Sequence, residues 1–297
     1  EAPRTEQGRW VLITGCSTGV GRALVAACRA AGWSVAATAR KVSALADLPD
    51  GPDLRKLELD VTDAASISAA ARACSDLRLV GLINNAGYGQ MGPLEVLRTE
   101  ELRAQLETNV VGLQAVTNAF LPMIRAHAAP GEGRIIHVSS VLGRLCIPMS
   151  GAYNASKFAV VALAETLRME VGPRIKVTVV EPGAIQTEFR RTLQQAWGDL
   201  PERVKGTRYE ATVERYRSQR EQFAHEHGLS AEACAGRIAK VLDARRPPRR
   251  LIVGADSFWA QVAHRIVPAA LYEAAAALFV ARGYDGAARH SALSAWA

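Results

Sequence analysis

A short apolar strand that runs into a glycine-rich loop and then into a helix constrains the fold of this chain more than any other feature. Residues 10–13 have the pattern of a buried strand, residues 14–21 contain glycines spaced G-x-x-x-G-x-G, and a helical pattern over 22–31 stops at Gly32. Strand, loop and helix in this order bring backbone N–H groups and a helix N-terminus up to a pyrophosphate. The segment therefore predicts the first βαβ unit of a dinucleotide-binding domain.

Strand and helix patterns alternate over most of the chain that follows. The further strand candidates are short and apolar, and they cover residues 33–38, 56–61, 80–84, 134–139, 176–181 and 250–253. Helical patterns separate them, which is the arrangement of a parallel sheet covered by helices on both faces. We therefore predict an α/β fold with a doubly wound parallel sheet of the Rossmann type.

Composition argues against several other classes of protein. The 297 residues are 49% hydrophobic, enough for a full core, and the net charge of +7 comes from Arg residues scattered along the chain. Without a basic stripe, we expect no nucleic-acid partner. The five cysteines are dispersed and lack a C-x-x-C pair, which argues against a disulfide framework and a metal site and favours a reducing cytoplasm. We also expect no signal core and no membrane span.

Tyr153 and Lys157 form the pair that most suggests chemistry. They lie four residues apart in a helical pattern, so they share one face. A free phenol is a poor acid–base catalyst near neutrality, and we expect the ammonium to lower the pKa of Tyr153 by roughly 1–3 units. Ser140 follows the strand at 134–139 and is placed to hydrogen-bond the oxygen that Tyr153 protonates. Ser139 is the competing choice, and its side chain would point to the other side of the strand.

Taken together, these motifs resemble the short-chain dehydrogenase/reductase family. The matching motifs are Thr14-Gly-x-x-x-Gly-x-Gly21, Asn84-Asn85-Ala86-Gly87, Asn109, Ser140, Tyr153-x-x-x-Lys157 and Pro182-Gly183, in the family's order and approximate spacing. The resemblance covers residues 9–255, which we expect to form one dinucleotide-binding and catalytic domain. The glycine loop and the long C-terminal segment look most like the branch of 17β-hydroxysteroid and retinol dehydrogenases.

The resemblance implies roles for particular residues. The catalytic set would be Asn109, Ser140, Tyr153 and Lys157. Asn109, which lies in a helical stretch over 99–121, would support a water relay behind the lysine. The alternative is that Asn109 is hydrogen-bonded only to neighbouring backbone. The implied cofactor-binding set is Gly15, Ser17, Thr18, Gly19, Val20, Gly21, Arg40, Asp60, Val61, Asn85, Ala86, Gly87, Tyr153, Lys157, Pro182, Gly183, Ile185 and Thr187. Glu181 stands where many relatives carry Asn, and the sequence offers no explanation for this difference.

The residues after the second predicted strand bear on the choice of cofactor. An NAD-binding unit commonly carries an acidic residue here for the ribose 2′-OH, whereas a nearby Arg accommodates the 2′-phosphate of NADP. The segment Ala37-Thr38-Ala39-Arg40-Lys41 contains no carboxylate. In similar family members, an Arg at the position of Arg40 contacts that phosphate, and so does the residue at the position of Thr18. We therefore expect NADP(H) as the cofactor. The alternative is that Arg40 is an ordinary solvated loop residue.

The resulting hypothesis is an NADP(H)-dependent oxidoreductase that interconverts a ketone or aldehyde and an alcohol. Tyr153 would exchange the proton, Ser140 would polarise the oxygen, and the cofactor would carry the hydride. Two alternatives stay open: a non-catalytic NADP-binding regulator that senses redox state on the same fold, and a sugar-nucleotide epimerase. The complete set of Tyr, Lys, Ser and Asn argues against the regulator. The glycine spacing and the short region after Gly183 argue against the epimerase.

Apolar residues near the predicted site favour a bulky, mainly apolar substrate. The regular alternation breaks down over about 187–230, which in the family would be the mobile substrate lid. The loop 141–149 is also apolar, and the predicted substrate-binding set is Ser140, Leu142, Cys146, Met149 and Tyr153. A steroid, retinoid, lipid or polyketide-like carbonyl compound would suit such a pocket. The alternative is that these apolar groups belong only to the core.

Residues 256–297 are predicted to form a helical C-terminal extension. Apolar and aromatic residues recur there at mostly helical spacing, interrupted by Pro268. They would pack over the pocket or a partner subunit, or else touch a membrane surface peripherally through the aromatic face; packing is the more common of the two. Members of the family are usually dimers or tetramers, so the resemblance implies a homodimer.

Overall fold

The central element of the fold is a parallel sheet. The structure is a computed structural model that describes residues 8–186, 196–216, 226 and 228–282. The strands of the sheet are β1 (Trp10–Ile13), β2 (Ser34–Ala39), β3 (Leu54–Glu58), β4 (Leu79–Asn84), β5 (Gly133–Val138), β6 (Ile175–Pro182) and β9 (Arg250–Val253). Between β6 and β9 in the sequence, β7 (Ile185–Gln186) and β8 (Leu229–Ser230) form a separate short pair. The sheet has seven strands in the order β3-β2-β1-β4-β5-β6-β9. Every neighbouring pair is parallel. This confirms the predicted doubly wound α/β fold of a single domain.

Helices cover both faces of the sheet. They are α1 (Gly19–Ala30), α2 (Ala64–Ala73), α3 (Thr99–Leu106), α4 (Leu113–His127), α5 (Gly151–Glu170), α6 (Leu200–Arg203), α7 (Ala231–Asp243), α8 (Ala255–Ile266) and α9 (Ala269–Arg282). Helix α1 packs against α7, and α2 packs against α4. Because helices shield both faces, the central strands are buried on both sides and are mainly apolar; all six residues of β4 are buried.

Helix α1 illustrates why the sequence folds in this way next to the site. Its buried residues Gly21, Leu24, Val25 and Cys28 recur at helical spacing and form the stripe that faces the core. Gly32 follows the end of the helix, and its φ of 80° lies in the left-handed region that favours glycine. The chain then turns directly into β2, which fixes the glycine loop at one end of the sheet.

Most element boundaries agree with the sequence-based prediction to within three residues, and two stretches of the chain show the differences that have a visible cause. The third strand was expected over 56–61 but occupies Leu54–Glu58. The apolar alternation continues to Val61, yet pairing stops because Asp60 Oδ1 accepts hydrogen bonds from the backbone N–H and hydroxyl of Thr62, which turns the chain. The helical stretch expected over 99–121 is α3, then a π-helical segment Glu107–Gly112, then α4, which continues to His127.

The described part of the C-terminal extension is helical, and Pro268 separates α8 from α9 as predicted. The division of the chain near residue 255 stays a prediction. Of the predicted lid, residues 196–216, 226 and 228–230 are described. The lid also contains the apolar residues Phe189, Leu193 and Phe223, which lie outside the described residues. Within the described part of the chain, no helix combines the length and the hydropathy needed to cross a membrane.

Candidate active site

The glycine loop after β1 forms a cradle that has no room for side chains. Gly15 and Gly19 have positive φ angles of 73° and 57°, which disfavour other residues. A Cβ atom at Gly21 would lie 2.1 Å from the carbonyl oxygen of Gly15, and a Cβ at Gly15 would lie 2.9 Å from the Cα of Ala86. Backbone therefore approaches backbone closely at this loop, which leaves its outer surface accessible to a ligand.

The N-terminus of α1 has the features of an anion-binding site. Thr18 precedes the helix in an extended conformation and makes no side-chain cap hydrogen bond, and the first turn contains no acidic residue. The first N–H groups of a helix have no intrahelical partner, and the helix dipole favours negative charge beside them. Ser17 and Thr18 are exposed, and Gly19 and Val20 are partly exposed. The loop therefore fits the pyrophosphate of a dinucleotide.

The loop after β4 closes one side of this cradle. Thr14 Oγ1 accepts hydrogen bonds from the backbone N–H groups of Asn85 (3.0 Å) and Ala86 (2.9 Å). The Asn85 amide donates to the carbonyl oxygens of Thr14 (3.0 Å) and Gly15 (3.2 Å). Gly87 follows, and a Cβ there would lie 3.0 Å from Asn109 Oδ1. The structure therefore brings the predicted residues 85–87 beside the glycine loop.

Arg40 follows the end of β2, and Asp60 lies shortly after the end of β3; both strands lie on the same side of β1 in the sheet. Arg40 is exposed and makes no hydrogen bond or ion pair with any residue that the structure describes. Asp60 is half-buried and engaged with Thr62, while Val61 is buried. At the end of β2, a guanidinium that has no partner among the described residues is available to a phosphate.

Tyr153 and Lys157 are both buried on one face of α5. The Lys157 Nζ lies 5.6 Å from the centroid of the Tyr153 ring. It also donates a hydrogen bond of 2.9 Å to the carbonyl oxygen of Val138, at the end of β5. Burial disfavours the charged form and lowers the pKa of Lys157 to about 8. The ammonium is therefore held close to the phenol ring, in a site shielded from water.

Ser139 and Ser140 leave the end of β5 with different partners. Ser139 Oγ donates to the carbonyl oxygen of Lys157 at 3.0 Å and so ties β5 to α5. Ser140 Oγ accepts a hydrogen bond of 3.1 Å from the backbone N–H of Leu142 and caps the turn Val141–Gly143, which packs against α5. Because this bond uses only a lone pair of Ser140, the hydroxyl proton is left to donate to a ligand.

Asn109 lies in the π-helical segment between α3 and α4. Such segments are rare and occur frequently at functional sites. Asn109 Oδ1 accepts from the backbone N–H of Tyr88 (3.1 Å), and its amide donates to the carbonyl oxygen of Tyr88 (2.9 Å) and to Ser156 Oγ (3.0 Å). Asn109 therefore links the loop after Gly87 to α5, between Tyr153 and Lys157.

An apolar cluster surrounds Tyr153. Its buried members are Met91, Leu142, Leu145, Met149, Tyr153, Trp197, Leu200, Val204, Val213 and Tyr216. Leu142 and Met149 were predicted to line the pocket, and both belong to this cluster. Cys146 was predicted with them, but its side chain is exposed and lies outside the cluster. The loop turns its backbone there, and Met149 adopts a positive φ of 68°, an uncommon conformation for a residue with a side chain.

The turn after β6 is held by a residue to which the sequence analysis gave no role. A Cβ on Gly183 would lie 2.1 Å from Asp256 Oδ2, and the same oxygen accepts a hydrogen bond of 2.6 Å from the backbone N–H of Ala184. Pro182 ends β6 and Ile185 begins β7, so both predicted residues lie in this turn. The predicted residue Thr187 lies outside the described residues. Among the described residues, no cluster of His, Cys, Asp or Glu is arranged to hold a metal ion.

Comparison with known proteins places this chain in a family. The model of the short chain dehydrogenase family matches residues 9–197. Human retinol dehydrogenase 5 is 31% identical over 283 residues, which cover 89% of this chain and 86% of that protein. A short-chain dehydrogenase from Burkholderia cenocepacia, solved with NADP, is 27% identical, with a TM-score of 0.69, over 90% of this chain and 96% of its own. One from Burkholderia phymatum, solved with NAD, is 25% identical, with a TM-score of 0.73, over 87% and 93%.

The chain belongs to the short-chain dehydrogenase/reductase family, and it is an oxidoreductase of that type. The resemblance read from the sequence motifs is thereby confirmed.

Proposed function

We propose that the protein is an NADP(H)-dependent oxidoreductase that interconverts a ketone or aldehyde and an alcohol on a bulky, mainly apolar substrate. The observation that carries this proposal is the placement of Tyr153 and Lys157 on one buried face of α5, beside the turn that Ser140 caps and within an apolar cluster. The glycine cradle and the open N-terminus of α1 lie at the same edge of the sheet, after β1. A phenol, a hydroxyl, an ammonium and a phosphate-binding loop are the groups that this reaction needs.

The residues around the cradle fit a dinucleotide cofactor, which when bound supplies the hydride. The backbone of residues 15–21 would hold the pyrophosphate, Asp60 and residues 85–87 the adenosine, and Lys157 the nicotinamide ribose. The turn at Pro182–Ile185 would hold the nicotinamide. Arg40 would contact the 2′-phosphate of NADP, together with Thr18. The two solved relatives contain NADP and NAD respectively, so the preference rests on Arg40 and on the missing carboxylate of this chain.

The proton steps follow from the contacts of the three side chains. In reduction, Tyr153 donates its proton to the carbonyl oxygen as negative charge develops there. Ser140 keeps its hydroxyl proton free for the same oxygen, because its lone pair already accepts from Leu142. Lys157 stabilises the resulting phenolate by its charge, which it carries mostly below its pKa of about 8. Its bond to Val138 fixes the direction of the ammonium.

The apolar cluster around Tyr153 supports a bulky apolar substrate. Side chains from the loop 141–149 and from the lid region, among them Trp197 and Leu200, are buried together with the catalytic phenol. A pocket with a single polar end and long apolar walls selects a carbonyl compound with a large apolar body. The similarity to a retinol dehydrogenase agrees with a substrate of this class.

We also propose that the protein forms a homodimer and acts in a reducing cytoplasm. Phe158 and Met169 are exposed on α5, and about three helical turns separate them, so they present one apolar face to a second copy. The five cysteines are all free, which agrees with a reducing compartment.

Steady-state turnover with NADPH and a panel of ketones, aldehydes and alcohols tests the proposed function. An enzyme is expected to oxidise NADPH in the presence of at least one bulky carbonyl compound and to form the matching alcohol. Tight NADPH binding without turnover of any member of the panel would instead favour a redox-sensing regulator.

A further inference from the structure

Helix α8 is attached to the turn that follows β6. As described above, Asp256 holds the backbone N–H of Ala184. One residue further on, Ser257 Oγ donates a hydrogen bond of 3.0 Å to the carbonyl oxygen of Glu181. Ser257 is completely buried. The first turn of α8 therefore bonds the backbone on both sides of Pro182-Gly183.

The side chain of Glu181 is the centre of a second set of contacts with α8. It is fully buried, and it accepts hydrogen bonds from Arg144 Nε (2.8 Å), Arg250 Nη2 (2.7 Å) and Gln261 Nε2 (3.1 Å). Burial alone would raise the pKa of Glu181, but the bonds from Arg250 and Arg144 outweigh it and hold the pKa below its usual range. A buried carboxylate with two guanidinium partners stays ionised and binds its neighbours strongly. This explains the acidic residue at position 181, where the sequence analysis found no reason for it.

Arg144 connects the side chain of Glu181 to the loop 141–149, which follows Ser140. It follows the turn that Ser140 caps, and its guanidinium joins Glu181 to Glu165 of α5. The carboxylates of Glu181 and Glu165 balance the guanidinium groups of Arg144 and Arg250 in charge, so the buried charge of Glu181 is compensated by its neighbours. Gln261 and Glu181 are therefore joined, through Arg144, to the loop that follows Ser140.

Helix α9 reaches the same loop from its other end. The Tyr272 hydroxyl donates a hydrogen bond of 2.8 Å to the carbonyl oxygen of Cys146. Its ring stacks edge-on against His264 at 4.7 Å, and both Tyr272 and Ala260 pack against the apolar cluster around Tyr153. Burial, with a smaller contribution from Cys146, raises the pKa of Tyr272 to about 12, so the hydroxyl remains a donor at any working pH.

We propose that α8 and α9 form a clamp, defined here as residues 255–282, that fixes the loop 141–149 against the turn 182–186. Gln261 and Tyr272 are its positioning residues. Through Gln261, the clamp sets the positions of Glu181 and Arg144. Through Tyr272, it holds the loop 141–149, which forms a wall of the substrate pocket. The clamp thereby determines selectivity for long apolar substrates. The role in selectivity rests on the proposed function, whereas the fixing of the loop does not.

The outer face of the same helices provides matched controls. Phe258 and Trp259 stack edge-on at 5.2 Å, and their exposed fractions are 47% and 65%. Ile266 and Leu271 are exposed as well. Replacing Trp259 removes a large side chain from the clamp without touching either active-site loop.

The first test measures the loop in the cofactor-free protein by hydrogen–deuterium exchange and mass spectrometry. Gln261→Leu removes the hydrogen bonds to Glu181, Arg250 and Ser257, and Tyr272→Phe removes only the hydroxyl bond to Cys146. Each is expected to speed exchange of backbone amides in peptides that cover 141–149 by at least about 3- to 10-fold, the effect of losing one hydrogen bond. Trp259→Ala is expected to leave these peptides unchanged. Wild-type exchange in both inner-face variants would overturn the clamp, and so would equal acceleration in Trp259→Ala.

The second test measures selectivity with NADPH and two aldehydes, dodecanal and propanal. The ratio of kcat/KM for dodecanal to kcat/KM for propanal is expected to fall about 3- to 10-fold in Gln261→Leu and in Tyr272→Phe, with NADPH affinity and the ratio in Trp259→Ala unchanged. A general loss of folded protein would lower both rates equally and leave the ratio intact. An unchanged ratio overturns the role in selectivity. If the wild type reduces no carbonyl compound, the proposed function fails, and the exchange measurement still decides the clamp.

Discussion

Burial of the Lys157 ammonium makes the stability of the cofactor-free protein depend on pH in a specific window. Its pKa falls from an ordinary value of 10.5 to about 8 in the folded protein. Between these two values the unfolded chain binds a proton that the folded protein does not, so the free energy of unfolding rises as the pH rises from about 8 to 10.5. Below pH 8 both states are charged, and the folded state bears the full cost of the buried charge.

Lys157→Met removes the charge and keeps an unbranched side chain of similar length. The gap between pKa values of 10.5 and about 8 corresponds to about 3 kcal/mol, of which the loss of the bond to Val138 offsets about 1 kcal/mol. At pH 7 the variant is therefore expected to be more stable than the wild type by about 2 kcal/mol. At pH 10 most of the charge cost has disappeared, so the difference is expected to shrink by about 2–3 kcal/mol and to reach zero or change sign.

Urea unfolding of both proteins without cofactor, at pH values from 7 to 10, measures this difference directly. Lys240→Met, on the exposed surface of α7, serves as the control for removing a lysine from the chain. A difference between the wild type and Lys157→Met that is the same at pH 7 and pH 10 would refute the reasoning, because it would mean that the folded state does not suppress the charge of Lys157.

Two further predictions concern the cofactor and the two serines. The wild type is expected to bind NADPH more tightly than NADH, and Arg40→Asp is expected to weaken or reverse this preference; equal affinities of the wild type in fluorescence titrations would contradict the assignment of Arg40. Ser140→Ala is expected to lower kcat about 10²- to 10³-fold, because it removes a donor to the developing charge. It is also expected to lower the free energy of unfolding by about 1 kcal/mol, because the backbone N–H of Leu142 loses its acceptor. Ser139→Ala is expected to lower the free energy of unfolding by a similar amount through its lost bond to Lys157, with a much smaller effect on kcat. A larger loss of kcat in Ser139→Ala than in Ser140→Ala would exchange the roles of the two serines.

The sheet could be predicted from the sequence because each strand carries its own local pattern. Strands that are buried on both faces need apolar side chains throughout, and helices between them need a spaced apolar stripe. Boundaries were less predictable where a side chain overrides the pattern. The alternation around Leu59 and Val61 favours a longer β3, but the carboxylate of Asp60 ends the strand by bonding Thr62.

The residues of the proposed catalytic site could be picked out for a similar reason, since Tyr153 and Lys157 are close in sequence and Ser140 follows a recognisable strand. The contacts of Glu181, Asp256 and Gln261 left no such signal. They join elements that are distant along the chain, and a single polar residue in a helix such as α8 looks like any solvated residue. Cys146 is exposed and lies outside the apolar cluster, and the sequence carries no signal for which side chains of an apolar loop face that cluster.

The most direct test of the central claim is the comparison of turnover and cofactor binding in Tyr153→Phe. This change removes the transferable proton and keeps the packing of the ring in the apolar cluster. Turnover is expected to fall by about 10²- to 10⁴-fold, the range for a lost acid–base group, while NADPH binding by fluorescence titration stays nearly unchanged. Lys157→Ala is expected to reduce both, because Lys157 is assigned to the ribose as well as to the phenolate. Near-normal turnover in Tyr153→Phe would mean that another group supplies the proton, and it would contradict the account of this site.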